Sequence, residues 1–461
     1  MNFSEQKWIR QEVFFRSTLS NGAAAGLAVF LMLVSAFPAP AQVSKIQQSQ
    51  QILSPVGDVV EHDTFGTAAA ISGNTMVIGA ENADGNEVGA GAAFIFERIN
   101  NTWVQTARIF ANDGHATPEP VFPGEFISDA FGLSVAISED ANTVIVGAPA
   151  HNHTGHSGTA GAVYVFQRVN GVWVQQAELF SPFPNGADNF GAQQGLGGVA
   201  ISRNTIVVAD SGNPNLIDPS GNPVLPGGVD VFTRINGTWT LTAQLMVPND
   251  IFLTPTSLSF DGKTLVLGST TSDAPSAFGA GVAYVFGFNQ GTWSGPVPLA
   301  AGDATSGAQF GNGVSVGGNF IAVSANLGPG ATSLSGAAYV FVKEDGVWNQ
   351  TAKLIASDGL DSDSFGQTIA ISDQTVAVGA NNHSLATTNV AFAGAAYVFR
   401  PNDEGIWRQI AEVFAGDAIP GGFFGDSIAI QNNTLVVGAD GQHPPVEGYP
   451  GGEAYVYHLN P

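Results

Sequence analysis

Apolar residues in this chain fall in short alternating runs, separated by clusters of Gly, Asn, Asp, Ser and Pro. Alternation with period two puts every second side chain on one face, so each run predicts a β-strand. Four such runs recur in fixed order. The first follows Phe-Gly, at Phe65-Gly66, Phe131-Gly132, Phe190-Gly191, Phe310-Gly311, Phe365-Gly366 and Phe424-Gly425, and reads SVAIS at 134–138 or TIAIS at 368–372. The second is TVIVGA at Thr143–Ala148, with counterparts at Thr75–Ala80, Thr375–Ala380 and Thr434–Ala439. GAVYVF at 161–166 represents the third, and WVQQAELF at 173–180 the fourth.

The third run occurs seven times, ending at Phe96, Phe166, Phe232, Phe286, Phe341, Phe399 and Tyr457, at spacings of 54 to 70 residues. Each unit is therefore four strands, A to D in chain order. One such sheet cannot cover both of its faces, whereas sheets stacked around an axis cover each other, so the pattern predicts an all-β, seven-bladed β-propeller. Strands C and D are joined by Asn100-Asn101, Asn170-Gly171, Asn236-Gly237, Gln290-Gly291, Asp345-Gly346 and Glu404-Gly405, the residues of tight hairpin turns. A–B links are equally short. B–C and D–A links are long and variable, and in an up-down sheet they share one rim, where function is expected. The seventh unit stops after strand C. IQQSQQILSP at 46–55 resembles VQQAELFSP at 174–182, so residues 45–55 are expected to supply strand D of the last blade and close the ring.

Composition agrees with many turns and few helices: 58 Gly, 25 Pro and 11% charged residues. The net charge of −24 argues against nucleic acid and anionic membrane surfaces as partners. With no cysteine, disulfides, thiolate metal sites and Cys nucleophiles are excluded. At the N-terminus Lys7, Arg10 and Arg16 precede an apolar stretch from Ala23 to Phe37, followed by Ala39-Pro40-Ala41. That order reads as a signal peptide over 1–41, with the mature propeller over 42–461, secreted, at the cell surface or in the periplasm, and with no membrane insertion after leader removal.

The order Phe-Gly, apolar strand, Gly-Ala-Pro, then Gly-Ala-x-Tyr-Val-Phe resembles the FG-GAP repeats of the integrin α-subunit N-terminal propeller and its bacterial relatives. The match is fullest over 131–149, while unit four lacks the Phe-Gly before Ser257 and has Gly268-Ser269 in place of Gly-Ala. The resemblance implies extracellular adhesion or ligand binding. It also implies calcium loops between strands A and B, but the short links here, such as Ser372-Asp373-Gln374, lack the required Asp spacing.

Oxygen ligands gather elsewhere. Asp358, Asp361 and Asp363 precede the sixth-unit Phe-Gly and could hold calcium weakly; no other cofactor is expected. Single residues at Asp63, Asp129 and Asp188 stand before other Phe-Gly pairs, which favours a turn role for this position. His151, His153 and His156 crowd one B–C loop and could bind zinc or copper, with a solvated loop tip as the simpler reading. His383 and His443 stand alone in theirs. The tryptophan opening strand D in six units is read as packing between blades. Gly313–Gly317 spells G-x-S-x-G but lies along a strand, so it lacks the elbow a nucleophile needs. The expected function is thus a non-catalytic recognition or adhesion scaffold for a protein or glycan. Its rivals are a hydrolase or lyase with an axial site on the same rim, and a structural cell-surface component.

Overall fold

The computed structural model describes residues 44–46, 48–53, 63–115, 128–151, 160–182, 190–192, 198–211, 216–217, 223–224, 227–247, 250, 253, 255–385, 390–441 and 451–460. The leader reading, with His153, His156, Asp188 and His443, lies outside these residues. The described residues form strands and no helix, arranged as seven four-stranded antiparallel blades plus a minor hairpin, Leu216–Ile217 with Pro223–Val224. Blades 1 to 6 span 68–109, 134–179, 199–246, 257–299, 310–354 and 369–413. Blade 7 joins 427–458 to Gln48–Leu53 from the other end of the chain.

Gln48–Leu53 runs antiparallel to Glu453–His458, with Gln51 opposite Tyr455 and Ile52 opposite Ala454. This is the strand D that the seventh unit lacks. The expected strand over 45–55 is shorter at its start: Lys45 belongs instead with Ser44 to a pair that runs parallel to Trp407–Val413, a fifth strand on blade 6. The terminal segment thus crosses the seam between the last two blades.

Blade stacking follows from the repeat. Among the described residues seven buried apolar clusters are found, each shared by two adjacent blades, including one that joins blade 7 (Ile52, Val436, Val456) to blade 1 (Met76, Ile78, Phe94). The Phe-Gly pair explains itself here. Phe65, Phe131 and Phe365 pack edge-on or tilted against the strand-C aromatics of their own blades. The glycine that follows has φ +101° at Gly66 and +105° at Gly132, and a Cβ would strike the preceding blade's backbone at Glu453 or Ala92. Only glycine allows both the conformation and the approach. The hydroxyls of Ser134, Ser257, Thr368 and Ser427 each donate to the carbonyl oxygen of that glycine in the next blade, and Ser427 to Gly66 carries the series across the seam.

The turns divide as expected with one exception. Asn170, Asn236, Gln290 and Asp345 have φ near +50° and are followed by left-handed glycines, the paired conformation of two-residue hairpins. Blade 6 instead has a five-residue loop, 402–406, in which Asn402 Oδ1 accepts the Glu404 and Ile406 amides. Asn402, not Glu404-Gly405 alone, organises that turn. Strand A of every blade faces the axis, where a cavity of about 250 Å³ is lined by small and apolar residues such as Ala69, Ala136, Ala200 and Ile369. Ser315, the serine of the G-x-S-x-G run, lies in strand A and accepts the Ile371 amide from blade 6. The tryptophans sit at blade seams: Trp103 is buried against blade 7, and Trp407 meets Phe320 of blade 5.

Candidate functional site

The loop-rich rim is held by a polar contact that repeats between blades. The aromatic third position of strand C is Tyr in blades 2, 4, 5, 6 and 7. Its hydroxyl reaches an Asp on the D–A loop arriving from the preceding blade: Tyr164 to Asp113, Tyr284 to Asp250, Tyr339 to Asp303, Tyr397 to Asp358 and Tyr455 to Asp417. A tyrosine there buries its ring in the seam and leaves its hydroxyl at the rim, which suits a latch. Burial, aided by these carboxylates, raises all five phenols above their ordinary range, so each stays a donor.

In blades 2 and 6 the latch grows into a larger constellation. Strand register places Glu178 opposite Tyr164 and Glu412 opposite Tyr397 on the outer strand. Three residues beyond the Gly-Ala pair, the chain turns back through His151 N–H to Ala148 O and His383 N–H to Ala380 O, which tucks each imidazole beneath the loop. His151 is 3% exposed and His383 5%. His151 Nδ1 lies 2.8 Å from Asp129 Oδ2, and His383 Nδ1 lies 2.9 Å from Asp363 Oδ2. Those aspartates stand two residues before Phe-Gly and also accept the His115 and Leu360 amides. Each Nε2 faces carboxylates, at 3.5 Å from Glu178 Oε1 and 3.9 Å from Asp358 Oδ2. Burial opposes the charged imidazole, but the hydrogen-bonded aspartate and surrounding carboxylates outweigh it, and both histidines are held above their ordinary value. Burial and Asp113 together raise Glu178.

The three aspartates of the sixth-unit loop therefore part company. Asp358 accepts from Tyr397, and Asp363 is buried on His383. Asp361 is exposed and accepts the Thr332 hydroxyl and the Leu334 amide of the neighbouring B–C loop. Asp358 and Asp363 meet around His383, while Asp361 points to a different loop. The solvated-tip reading fails for His151, and His383 does not stand alone. A signal was present in the sequence: only units 2 and 6 combine Asp two residues before Phe-Gly with His three residues after Gly-Ala.

A third group of ionisable residues lies where blades 7 and 1 meet. Asp426 follows Phe424-Gly425, while Glu81 and Asp440 each follow a strand B. Asp426 is buried, accepts the Asn381 amide at 2.8 Å and shares a hydrogen bond with Asp440. Burial, with Asp440 adding its charge, pushes Glu81 up to about 7 and raises Asp426 strongly.

A family profile described as FG-GAP repeat matches residues 48–96, 124–166, 293–341, 348–399 and 407–457, more than half of the chain. The chain belongs to the FG-GAP repeat family. No curated protein matches it. In this FG-GAP propeller the matched segments include the Phe-Gly of blades 1, 2, 5, 6 and 7, as well as Gln48–Leu53, whose place in blade 7 the topology explains.

Proposed function

We propose that this FG-GAP protein is an exported recognition or adhesion scaffold, binding a protein or glycan through the B–C and D–A loops of one rim. The observation that carries the reading is the contrast between rims. One is trimmed mostly to two-residue turns, while the other holds the D–A loops entering blades 2, 4, 5, 6 and 7 on Asp–Tyr contacts, with buried Asp–His anchors added at blades 2 and 6. Loops presented on a rigid frame are the usual arrangement for binding. FG-GAP repeats are typical of extracellular proteins, and the leader-like residues 1–41 point the same way. Among the described residues no helix is long and apolar enough to cross a membrane. The test is a binding screen of residues 42–461 against glycans and surface proteins. A specific partner lost on shortening the D–A loops, and kept when C–D turns are changed, is the expected result. A partner insensitive to every loop change overturns the rim assignment.

A second reading attaches to Glu81, Asp426 and Asp440. A carboxyl that keeps its proton near neutral pH can serve as a general acid, so the alternative is an extracellular hydrolase or lyase. Among the described residues the axial cavity is lined by no ionisable side chain, so on this reading the site lies at the rim end of blades 7 and 1. Turnover of a glycan or ester panel that disappears in Asp426→Asn would favour it.

A further inference from the structure

Two sites on the loop-rich rim share a donor set that nothing in the proposed scaffold role requires. In blade 2, Asp113, His151 and Glu178 each offer one ligand atom, and the three atoms lie within 4.8 Å of one another; Asp358, His383 and Glu412 do the same in blade 6. We infer that each of these constellations binds one divalent transition-metal ion of the zinc class, coordinated by imidazole Nε2 and two carboxylates.

The histidines are prepared for this. Nδ1 of each lies within hydrogen-bond distance of a buried aspartate, Asp129 or Asp363, so with the neutral ring's proton placed there Nε2 is the nitrogen turned to the other carboxylates and available to a metal. A carboxylate behind the imidazole both orients a metal-binding histidine and strengthens it as a donor. Tyr164 and Tyr397 hold one oxygen of Asp113 and Asp358, turning the other inward. In blade 2, Glu178 Oε1 is shut off from solvent without a hydrogen bond, 3.5 Å from Nε2. A buried carboxylate oxygen facing an imidazole and a second carboxylate calls for a cation between them, either a proton on the imidazole or a metal ion in its place. Blade 5 shows what fills that position elsewhere. There Lys353 takes the strand-D place of Glu412, and its ammonium lies 2.6 Å from Asp303. Blades 2 and 6 replace the lysine with glutamate and add a histidine, exchanging a covalently attached cation for ligands.

Mixed nitrogen and oxygen donors suit zinc and its neighbours, whereas calcium takes six to eight oxygens. Bonds of about 2.0–2.2 Å require the three atoms to draw in slightly. Asp113 and Asp358 are the exposed members of each set, while the histidines are buried and hydrogen-bonded to Asp129 and Asp363. The bound ion would tie the incoming D–A loop of one blade to the next blade, stiffening the rim.

The experiment is equilibrium dialysis of the chelator-treated full chain against Zn²⁺ at pH 8, with metal analysis, and Co²⁺ absorption as the spectroscopic readout. Two ions per chain are expected, one for each cluster. His151→Gln and His383→Gln should each remove one ion, and together both. Because a buried histidine variant can misfold, Glu178→Gln and Glu412→Gln form a second arm: they leave the His–Asp pairs intact and should weaken uptake at least about tenfold, with an unchanged circular dichroism spectrum. Millimolar Ca²⁺ should not compete. The inference is overturned if no stoichiometric zinc binds at about 100 μM, far above what a three-ligand site needs. It is equally overturned if uptake persists in the double histidine variant, which would place the metal on other side chains.

Discussion

Blades 5 and 6 are neighbours with the same strands, the same Tyr–Asp latch and the same aromatic stack, yet they settle charge at the rim in opposite ways. In blade 5 the arriving Asp303 meets Tyr339 and Lys353, and burial notwithstanding, the lysine holds its carboxyl below the ordinary value. That is a complete ion pair, half open to water. In blade 6 the arriving Asp358 meets Tyr397, His383 and a second carboxylate, Glu412, with the imidazole backed by buried Asp363. The backbone frame is common to both, and a few side chains per blade decide whether the rim is neutralised by the protein itself or by something it takes up. The FG-GAP repeat fixes where such chemistry sits and leaves its kind to individual residues.

Each blade keeps its own chemistry only within a closed ring, and the largest effect should come from breaking that closure. Deleting residues 44–53 removes strand D of blade 7, the parallel pair on blade 6 and the buried Ile52. The loss should exceed about 4 kcal/mol, because edges are exposed on two sheets and a seam loses its cover. Chemical denaturation of the deletion beside the full chain measures it; equal midpoints would show that the terminus is dispensable. Next in size is Asp363→Asn. It weakens a buried, charge-assisted contact to His383 and one to the Leu360 amide, at a cost of roughly 2–3 kcal/mol. Asp361→Asn, two residues away, should leave the melting curve in place, since that carboxylate is exposed and only bridges two loops. If the two variants melt alike, the buried histidine pair is not what holds the loop.

The strands, the blade count, the closing segment and the division into rims were all legible, because each is local or repeated. A two-residue alternation declares a strand, Asn-Gly declares a hairpin, and seven copies average out the irregular fourth unit. The clusters were not legible in full. His151, Asp129, Asp113 and Glu178 are spread over 66 positions of sequence and come from two blades. Their meeting depends on strand register and on the D–A loop folding back over the next blade. In unit 6 the compact Asp358–Asp363 run suggested one cation held by one loop. Instead, Leu360 N–H caps Asp363 and turns it inward, while Asp361 points across to Thr332. Proximity in sequence was a poor guide to which carboxylates act together. The fifth strand on blade 6 went unseen because two residues carry no periodicity.

The seam of blades 7 and 1 offers a third way of settling charge, with neither lysine nor histidine in the group among the described residues. Asp426, Asp440 and Glu81 crowd together, and the balancing cation is a proton. Both Glu81, at about 7, and Asp426 titrate above the values they would have unfolded. Below pH 4 both states hold these protons and the groups make no difference. As the pH rises through the unfolded values the unfolded chain releases them while the folded chain does not, so stability falls until the folded groups ionise, near and above pH 7. Asp426→Asn should flatten that decline and raise stability at pH 8 by on the order of 1–2 kcal/mol. Melting curves of both proteins from pH 4 to 8 test it. A wild-type stability that rises across this window relative to Asp426→Asn would mean that the carboxylates are ionised and compensated in some other way.

The smallest effect belongs to blade 5. Lys353 is partly exposed, pairs with Asp303 and lies 5.7 Å from the Tyr339 ring. Exposed pairs of this kind contribute about 0–1 kcal/mol, so Lys353→Met should shift the melting temperature only slightly, and the shift should shrink further in high salt. Lys353→Glu is the sharper variant, since it gives blade 5 the strand-D carboxylate of blade 6. It still lacks the histidine: Gly328 stands where His383 does, and Ala308 where Asp363 does. The expected outcome is mild destabilisation from two carboxylates facing each other, with no additional metal bound. Were Lys353→Glu alone to create a further zinc site, two carboxylates and a tyrosine would suffice, and the histidine that separates the two blades would have lost its assigned part in the contrast.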